Sequence, residues 1–412
     1  MRRAMHVLPP ALDRLGLTPV INANGPASRL GGNLLSPAAQ EAMIAAGQCF
    51  IPLNELQARA GETISRVTGA EAGCVASGAA ACLFLATAAC MAGDDIAAMD
   101  RLPDTDGLRN EIVMHRAHRN PYDHALRATG ARLVEVGYLG TPSSPGTRAW
   151  ELESAITDRT CALFYVASGL STEVMSLEAF AAVAHRHGLP VIVDAAGALP
   201  PAENLTRFIG EGADLVAFSG GKGIGGPAGS GFLAGRRDLV LSATLQQQDM
   251  YIHPALWAGP LGESAPRFSD GPARQGLGRM LKVGREEIAG LTAALEDYVE
   301  RDHAAERARS VAIAEALAER LRGMAGASPS LVDPPGAVAP HIVLDFADDG
   351  GAERAAAVAR NLREGSPRVF CLDAWIDKGL LTLSPTTLRE DDVDPLVERV
   401  IEECAAKGGR HE

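Results

Sequence analysis

Aromatic side chains are scarce in this sequence of 412 residues, since Phe, Trp and Tyr together make up only 4% of it. So few rings argue against a protein that stacks the bases of single-stranded nucleic acid. Basic residues are also outnumbered, with 38 Lys and Arg against 51 Asp and Glu and a net charge of −13. This balance argues against binding nucleic acid through its phosphates and against docking on an anionic membrane.

Cysteine motifs and targeting signals are lacking as well. The seven cysteines are scattered without a C-x-x-C pair, so the sequence offers no zinc or redox motif and we expect no metal. Several cysteines lie in apolar runs and the N-terminus lacks the apolar core of a signal peptide, which indicates free thiols in a cytoplasmic protein. The uncharged stretch from Ala72 to Gly93 is long enough to span a bilayer, but its small residues predict a buried helix instead.

Apolar runs of strand length alternate with helical patterns from about residue 40 to residue 260. Strand-like runs occur at Glu111–Met114, Leu133–Val136, Ala162–Val166, Pro190–Val193, Ala213–Phe218 and Gly231–Ala234. Between two of them, the segment from Ser176 to His187 repeats its apolar residues with helical spacing. Alternating strands and helices predict an α/β fold with a mostly parallel sheet covered on both faces.

The sharpest local signal is the glycine-rich segment around Lys222, which reads Phe218-Ser219-Gly220-Gly221-Lys222-Gly223-Ile224-Gly225-Gly226-Pro227. It places one lysine in a turn after a strand, where glycines accept positive φ and let a flat ligand come close. A phosphate-binding loop is the alternative. The pattern G-x-x-x-x-G-K-[ST] is not matched, however, because a glycine follows Lys222.

Two further signals lie earlier in the chain. Asp194 ends the apolar run from Val191, at the end of a strand where α/β sheets carry their sites. A buried carboxylate has to face a cation, so Asp194 is such a partner unless it is a solvated strand end or a helix cap. Ser77-Gly78-Ala79 lies where a strand gives way to an Ala-rich helix. The free N–H groups there suit a phosphate, and an ordinary capped helix start is the alternative.

One cofactor accounts for all three signals. Pyridoxal 5'-phosphate requires a lysine for its aldehyde, a carboxylate for its pyridinium nitrogen and a site for its phosphate dianion. An aspartate beside the ring nitrogen favours the protonated ring, which makes the ring a stronger electron acceptor. The sequence therefore predicts this cofactor at Lys222, Asp194 and the segment from Ser77 to Ala79.

The order of these motifs resembles that of fold-type-I pyridoxal-phosphate enzymes. Two flanking motifs, Val20–Gly25 with Arg29–Gly32 and Gly278–Arg285, further resemble the bacterial selenocysteine synthase-like branch. That branch comprises L-seryl-tRNA(Sec) selenium transferase and relatives such as D-glucosaminate-6-phosphate ammonia-lyase. The resemblance implies the fold-type-I transferase architecture, which has a large domain with a mostly parallel sheet and a smaller α+β C-terminal domain.

Three regions are expected along the chain. They are an N-terminal arm with an active-site loop (1–40), a large cofactor-binding domain (41–275), and an interdomain helix with the small C-terminal domain (276–412). The second boundary lies near the end of the Gly/Pro-rich stretch from Gly259 to Gly278. A long helix is expected after it, from about Arg279 through Glu300.

The resemblance also assigns roles to single residues. Lys222 matches the lysine that bonds the cofactor, and Asp194 matches the partner of the pyridinium nitrogen. His118 matches a residue that stacks on the ring and is expected to be catalytic together with these two; a surface histidine in a basic loop is the alternative. The cofactor-binding set implied in this way is Ser77, Gly78, Ala79, His118, Ser168, Asp194, Ser219 and Lys222. Ser168 takes the place of residues that touch the phenolic oxygen, although a plain strand-end serine would look the same.

Residues for the substrate are less sharply indicated. Arg29, in a glycine-rich N-terminal loop, suits a carboxylate or a phosphate, and a surface charge is the alternative. Arg274 precedes the interdomain helix, where related dimers reach the neighbouring subunit's phosphate. The carboxylate-binding arginine that aminotransferases of this fold present near the C-terminus is replaced by threonines in Ser384-Pro385-Thr386-Thr387. This departure argues against ordinary transamination of an α-amino acid.

The reaction expected from the resemblance is α,β-elimination from an amino acid or amino sugar acid, which releases ammonia and a 2-oxo acid. Racemisation, aldol-type cleavage and amino transfer remain alternatives, because Lys222 serves all of them. A non-catalytic scaffold is the alternative of another class. The net charge argues against a role on seryl-tRNA. We expect a small-molecule amino substrate, no nucleic acid, no membrane, and a homodimer or higher homo-oligomer.

Overall fold

The computed structural model describes residues 10–139, 146–167, 174–249, 251–253, 256–257, 259, 275–334 and 337–406. The chain forms two compact units. The large unit is Leu34–Arg301, and the small unit consists of the described residues of Met1–Asn33 and Asp302–Glu412. The predictions for Ser168 and Arg274 lie outside the described residues, as does most of the Gly/Pro-rich stretch at 259–278.

Helices and strands are numbered in chain order. The α-helices are α1 Pro10–Asp13, α2 Pro37–Gly47, α3 Leu53–Thr68, α4 Ala79–Ala92, α5 Ile96–Arg101, α6 His124–Arg127, α7 Ala149–Ala155, α8 Leu177–Arg186, α9 Asn204–Gly210, α10 Arg237–Gln247, α11 Arg285–Glu300, α12 His303–Leu321, α13 Gly351–Glu364 and α14 Val393–Ala405. The strands are β1 Val20–Ala23, β2 Ala72–Ala76, β3 Glu111–His115, β4 Arg132–Val136, β5 Thr160–Val166, β6 Val191–Asp194, β7 Leu215–Ser219, β8 Gly231–Gly235, β9 Ser328–Val332, β10 His341–Asp345, β11 Arg368–Cys371 and β12 Leu380–Leu383.

A seven-stranded sheet runs through the large unit in the order β2-β8-β7-β6-β5-β3-β4. The pairs from β7 through β6, β5 and β3 to β4 are parallel. Strand β8 is antiparallel to both β2 and β7, so β2 runs in the same direction as the parallel strands. The predicted α/β fold with a mostly parallel sheet is thereby confirmed. The carboxyl ends of all strands except β8 share one edge, which we call the carboxyl edge.

Alternate side chains of the strands enter two separate apolar cores, one on each face of the sheet. In β3, Val113 belongs to one core, whereas Ile112 and Met114 belong to the other. The first core contains side chains from α3, α8 and α11, and the second contains side chains from α4, α5 and α10. Both faces of the strands are therefore covered, which explains why they read as continuous apolar runs.

The strand runs predicted from the sequence lie within one or two residues of the observed strands. The predicted start of the interdomain helix at Arg279 is wrong. Residues Leu277–Leu281 form a short 3-10 helix, Gly284 has extended backbone, and α11 begins at Arg285. Glu286 and Glu287 lie in the first turn of α11, where acidic side chains favour a helix start.

The uncharged stretch from Ala72 to Gly93 divides into strand β2 and helix α4. Nearly all of α4 is buried, as the sequence predicts. Ser77 and Gly78 form the turn between the two elements. Among the described residues, none of the helices has both the length and the apolar character needed to cross a bilayer.

The small unit joins the two ends of the chain. Strand β1, which lies in the expected N-terminal arm (1–40), pairs in parallel with β11, with Val20 opposite Arg368. Strands β12, β10 and β9 form an antiparallel sheet in that order. Apolar side chains from β1, β10, β11, β12 and helices α12 to α14 make one core. Residues from the N-terminus thus complete a core that is otherwise C-terminal.

Candidate active site

The predicted site residues of the large unit lie at the carboxyl edge of its sheet. Asp194 ends β6, Ser219 ends β7, and Lys222 follows three residues later in the glycine-rich turn. His118 ends a 3-10 helix directly after β3, and Ser77 follows β2. Parallel strands bring their carboxyl ends together, so residues far apart in sequence come to one side of the sheet.

Lys222 lies in a turn whose backbone is closely packed. Gly220 N–H donates to the carbonyl of Ser230, and Gly226 N–H donates to that of Gly220. A Cβ atom at Gly223 would lie 2.5 Å from the carbonyl oxygen of Leu199, so no larger residue fits there without a shift. The turn therefore fixes the backbone from which the half-buried Lys222 side chain extends.

The Asp194 side chain is 8% exposed. Its Oδ1 accepts a hydrogen bond of 3.0 Å from the N–H of Ala196, and this is its one hydrogen bond within the described chain. Burial raises the pKa of the Asp194 carboxyl, while the Ala196 N–H and the charge of Lys222 act in the opposite direction. If residue 197 had a Cβ atom, that atom would lie 3.9 Å from the Nζ of Lys222, so the amine lies close to the turn after Asp194. A buried carboxylate with so few partners suits a cationic ligand group.

His118 is buried, which disagrees with the alternative of a surface histidine. Its Nδ1 accepts the N–H of Val166 at 3.2 Å, and Val166 lies opposite Asp194 in the β5–β6 ladder. The ring also makes an edge contact with Tyr165, with centroids 4.6 Å apart. Burial lowers the pKa of His118 to about 4, so the ring is neutral at neutral pH. A neutral, fixed ring beside Asp194 suits contact with a flat heteroaromatic ligand.

The turn at Ser77 and Gly78 leads into the N-terminus of α4. Gly78 is the residue before the helix and has a φ of 92°, a conformation that glycine adopts without strain. The first N–H groups of α4 lack partners within the helix, and the positive end of the helix dipole points the same way. Ser77 Oγ donates to the carbonyl of Leu281 at 2.9 Å. This turn has the features of a phosphate site.

Ser219 and the turn at Gly78 meet at Gly231, the first residue of β8. Gly231 lies opposite Ser219 in one ladder and opposite Ala76 in the other. A Cβ atom at Gly231 would lie 2.6 Å from the backbone nitrogen of Ala79. The structure therefore places Ser219 in the same corner as the candidate phosphate turn.

Arg29 belongs to the small unit, where it already has partners. Its guanidinium contacts both oxygens of Asp373, at 3.1 and 3.2 Å, and the Oδ1 of Asn24 at 2.6 Å. Arg363 binds the same Asp373 carboxylate. The cluster keeps an excess of positive charge because two arginines share one carboxylate.

Two residues that no sequence motif indicates bind the backbone near the site residues. Gln57 of α3 is buried, and its amide both donates to the carbonyl of Val75 (2.8 Å) and accepts the Val75 N–H (2.9 Å). Arg301 donates to the carbonyls of Gly223 and Ile224 in the lysine turn, at 3.3 and 3.1 Å. Both contacts join residues far apart in sequence, so no local pattern indicates them.

The residues present fit pyridoxal 5'-phosphate. A primary amine, a buried carboxylate with one hydrogen bond, a neutral ring and a helix N-terminus are the groups that its aldehyde, ring nitrogen, ring face and phosphate require. They all lie at one edge of one sheet. Among the described residues, no group of three or more His, Cys, Asp or Glu side chains could hold a metal ion.

Comparison with known proteins identifies the relatives of this chain. The sequence profile of the family described as SelA, L-seryl-tRNA selenium transferase, matches residues 54–251, which include His118, Asp194 and Lys222. The chain is 32% identical over 409 residues to a 5'-C-glycyluridine monooxygenase-decarboxylase of Streptomyces sp, and the match covers 96% of this chain and 92% of that relative. It is 31% identical over 401 residues to a D-glucosaminate-6-phosphate ammonia lyase of Salmonella typhimurium, covering 96% and 98%.

Solved structures show the same architecture. The structure of D-glucosaminate-6-phosphate ammonia-lyase matches with a TM-score of 0.78 and 30% identity, covering 97% of this chain and 100% of that chain. A structure of SPT with PLP matches with a TM-score of 0.55 and 13% identity over 93% and 87%, which shows the fold alone.

An L-seryl-tRNA(Sec) selenium transferase of Moorella thermoacetica is 29% identical over 337 residues, which cover 75% of this chain and 62% of that protein. These matches confirm the fold-type-I architecture, the expectation of an enzyme, and pyridoxal 5'-phosphate as its cofactor. The chain belongs to the selenocysteine synthase-like (SelA-like) branch of fold-type-I pyridoxal-phosphate enzymes, which includes D-glucosaminate-6-phosphate ammonia lyase.

Proposed function

We propose that this protein is a pyridoxal-phosphate-dependent ammonia-lyase that acts on an amino acid or an amino sugar acid. The observation that carries the proposal is that Lys222 and the buried Asp194, whose side chain has one hydrogen bond within the described chain, lie at the carboxyl ends of neighbouring strands. The similarity to D-glucosaminate-6-phosphate ammonia lyase, over 96% of this chain, supports the reaction type. The substrate loses its α-proton and its β-substituent, and water then releases ammonia and leaves a 2-oxo acid.

The cofactor, when bound, supplies a ring that accepts the electrons left at the substrate's α-carbon. Asp194 holds a negative charge beside the ring nitrogen and keeps it protonated. Lys222 Nζ takes the α-proton. The closely packed turn fixes the backbone of Lys222 and so positions its amine for this step. The backbone N–H groups after Gly78 and the Ser219 hydroxyl would hold the phosphate of the cofactor, and the neutral His118 ring would hold its heteroaromatic ring.

The test is an assay for ammonia and 2-oxo acid with candidate amino acids and amino sugar acids, without any added keto acceptor. Elimination produces both products in equal amounts. Amino transfer would require an acceptor, racemisation would change only optical rotation, and aldol-type cleavage would release an aldehyde. Any of these results in place of ammonia would overturn the proposed reaction and leave the cofactor assignment intact.

A second candidate reaction is oxidative decarboxylation. The observation in its favour is the 32% identity, over nearly the whole chain, to a 5'-C-glycyluridine monooxygenase-decarboxylase. Such a reaction consumes dioxygen and releases carbon dioxide, whereas elimination consumes no dioxygen. Running the same assay in an oxygen electrode and under nitrogen separates the two, because only the decarboxylase reaction stops without oxygen.

The substrate residues remain proposals. We propose that Arg29 binds the acid group of the substrate and that Arg274 contributes to phosphate binding. The excess positive charge of the Arg29–Asp373–Arg363 cluster supports the first. Replacing Arg29 with Gln should raise KM for an acidic substrate more than it lowers kcat, and the opposite pattern would contradict this role.

The net charge of −13 argues against seryl-tRNA as the substrate, and we propose a small-molecule amino substrate instead. We further propose a cytoplasmic location, in line with the free cysteines of the described chain. A homodimer is supported by large apolar side chains that stay exposed around α2, where Leu34 is 70%, Ile44 65% and Phe50 99% exposed. Light scattering after gel filtration tests the dimer, and Phe50→Ser should weaken it.

A further inference from the structure

His115, the last residue of β3, is a buried histidine that the proposed chemistry does not use. Its side chain has no exposed surface, and neither ring nitrogen has a hydrogen-bond partner within the described chain. An imidazole in such a place costs free energy that an apolar side chain would not. The position therefore needs a reason beyond filling space.

Three aromatic rings lie close to the ring of His115. The ring of His118 lies 4.9 Å away, centroid to centroid, and is perpendicular to it. The rings of Phe180 and Tyr165 lie 4.7 and 5.8 Å away. Tyr165 also contacts His118 and is itself fixed, because its hydroxyl donates to the carbonyl of Met175 at 3.0 Å. His115 thus connects the ring of His118 to a rigid cluster.

The hydrogen bond of His118 decides its tautomer. Because Nδ1 accepts the Val166 N–H, that nitrogen carries no proton, and the neutral ring carries its proton on Nε2. Rotating the ring by half a turn would break this bond. The contacts with His115 and Tyr165 resist that rotation, since both rings lie against the imidazole of His118.

We infer that His115 is a positioning residue, which holds the neighbouring His118 ring in one orientation and in the Nε2–H tautomer for contact with the cofactor. The inference rests on the proposed function. His115 can do this only if it is uncharged. Burial, and then the nearby His118, lower the pKa of His115 to about 3, so it stays neutral where the enzyme works. His118 accordingly offers a hydrogen-bond donor at Nε2 and is not the base that removes the α-proton.

The decisive experiment records nitrogen NMR spectra of cofactor-free protein with labelled histidine, for the wild type and for His115→Leu. In the wild type, the His118 signals should show the Nε2–H tautomer. In the variant, His118 should show a mixture of tautomers. Leucine has about the volume of histidine and removes two buried, unpaired nitrogens, so the variant should be as stable as the wild type or more so.

The second readout is the affinity for the cofactor, measured by titration of the cofactor-free protein. Losing one ring contact of His118 should weaken binding about two- to tenfold. His341→Leu is the matched control, because His341 of the small unit also has an unpaired Nδ1 and should leave both readouts unchanged. His115→Asn, which is smaller and polar, repeats the test if the leucine variant does not fold.

A pure Nε2–H signal from His118 together with unchanged cofactor affinity in a folded His115 variant would overturn the inference. An Nδ1–H signal from His118 in the wild type would overturn it as well. If instead the wild type bound no pyridoxal 5'-phosphate, the proposed function would fail. The NMR result would still decide whether His115 fixes the His118 ring, because it requires no cofactor.

Discussion

Two buried carboxylates lie at opposite ends of the strands of the large sheet and differ in the number of their hydrogen-bond and ion-pair partners. Glu111 begins β3 and is 2% exposed; its carboxylate binds Arg132 at 3.2 Å, Arg159, and the hydroxyl of Thr157 at 2.8 Å. Asp194 ends β6 and is 8% exposed, yet it has one backbone hydrogen bond. Within the same sheet, one acid binds two arginines and a hydroxyl, whereas the other accepts a single backbone N–H.

This difference separates a structural acid from a functional one. A buried charge persists in a stable fold only when it is paired, and the chain provides Glu111 with two arginines for that purpose. Asp194 gets its counter-charge from Lys222 and, in our proposal, from the cofactor's ring nitrogen. The few partners of Asp194 at the carboxyl edge therefore support our proposal that this acid binds a ligand.

Removing the amine of Lys222 should have the largest effect on the reaction rate. Lys222→Ala is expected to lower the rate of the reaction by about a thousandfold or more, because it removes both the covalent anchor and the base. Borohydride reduction followed by peptide mapping should label Lys222 in the wild type and nothing in the variant. Lys282→Ala, an exposed lysine of the same unit, is the control and should keep the label. A label on another residue would contradict the assignment.

Exchanging each carboxylate for an amide tests the comparison directly. Asp194→Asn should lower the rate about a hundredfold while the cofactor-free protein loses no stability, since the amide avoids burying a charge. Glu111→Gln should leave the rate near the wild-type value but cost about 1–3 kcal/mol in the free energy of unfolding. Steady-state kinetics and urea unfolding measure the two effects. Equal losses of stability would show that the two acids do not differ as described.

His118 extends the comparison to a buried group that would be positively charged if it were protonated. Its pKa is lowered to about 4 in the folded chain, against about 6.5 when unfolded, so between these values the unfolded chain binds the extra proton. Stability should therefore fall as the pH drops from 6.5 to 4, by about 3 kcal/mol at most from this residue. His118→Phe should lose less stability on acidification, measured by unfolding at pH 7 and pH 4.5. The exposed His124, replaced by Gln, should make no difference.

The smallest effect is expected at Ser77. Its hydroxyl already donates to Leu281, so binding a phosphate exchanges one hydrogen bond for another. Ser77→Ala should then weaken cofactor binding by about tenfold or less, which corresponds to the net worth of one hydrogen bond. Titration with the cofactor measures this change. A loss of a thousandfold would mean that the hydroxyl, and not the backbone of the helix N-terminus, dominates phosphate binding.

Much of the large unit could be predicted from the sequence. Apolar runs of strand length predict the strands because both faces of the sheet are covered. Lys222 and Asp194 stand out because Asp194 ends an apolar strand and Lys222 lies in the glycine-rich turn after the next strand, so local sequence alone shows the pattern. The start of α11 was misplaced, since apolar residues before Gly284 continue the helical spacing while the backbone at Gly284 is extended.

What the sequence could not show depends on contacts between distant segments. The amide of Gln57 on Val75, the guanidinium of Arg301 on the lysine turn and the Val166 N–H on His118 each require the folded chain. None of them has a motif of its own. The roles of His118, Ser77 and Ser219 stay predictions for the same reason, because a residue's place at the edge does not show what it binds.

The pairing of β1 with β11 has a consequence for synthesis of the chain. Strand β1 begins at Val20 and its partner β11 begins at Arg368. Almost the entire polypeptide must therefore be synthesised before the two strands can pair. Until then the unpaired edge of β1 is open to other extended chains. Chains shortened at the C-terminus should therefore expose an unpaired N-terminal strand and aggregate, even when the large unit has already folded.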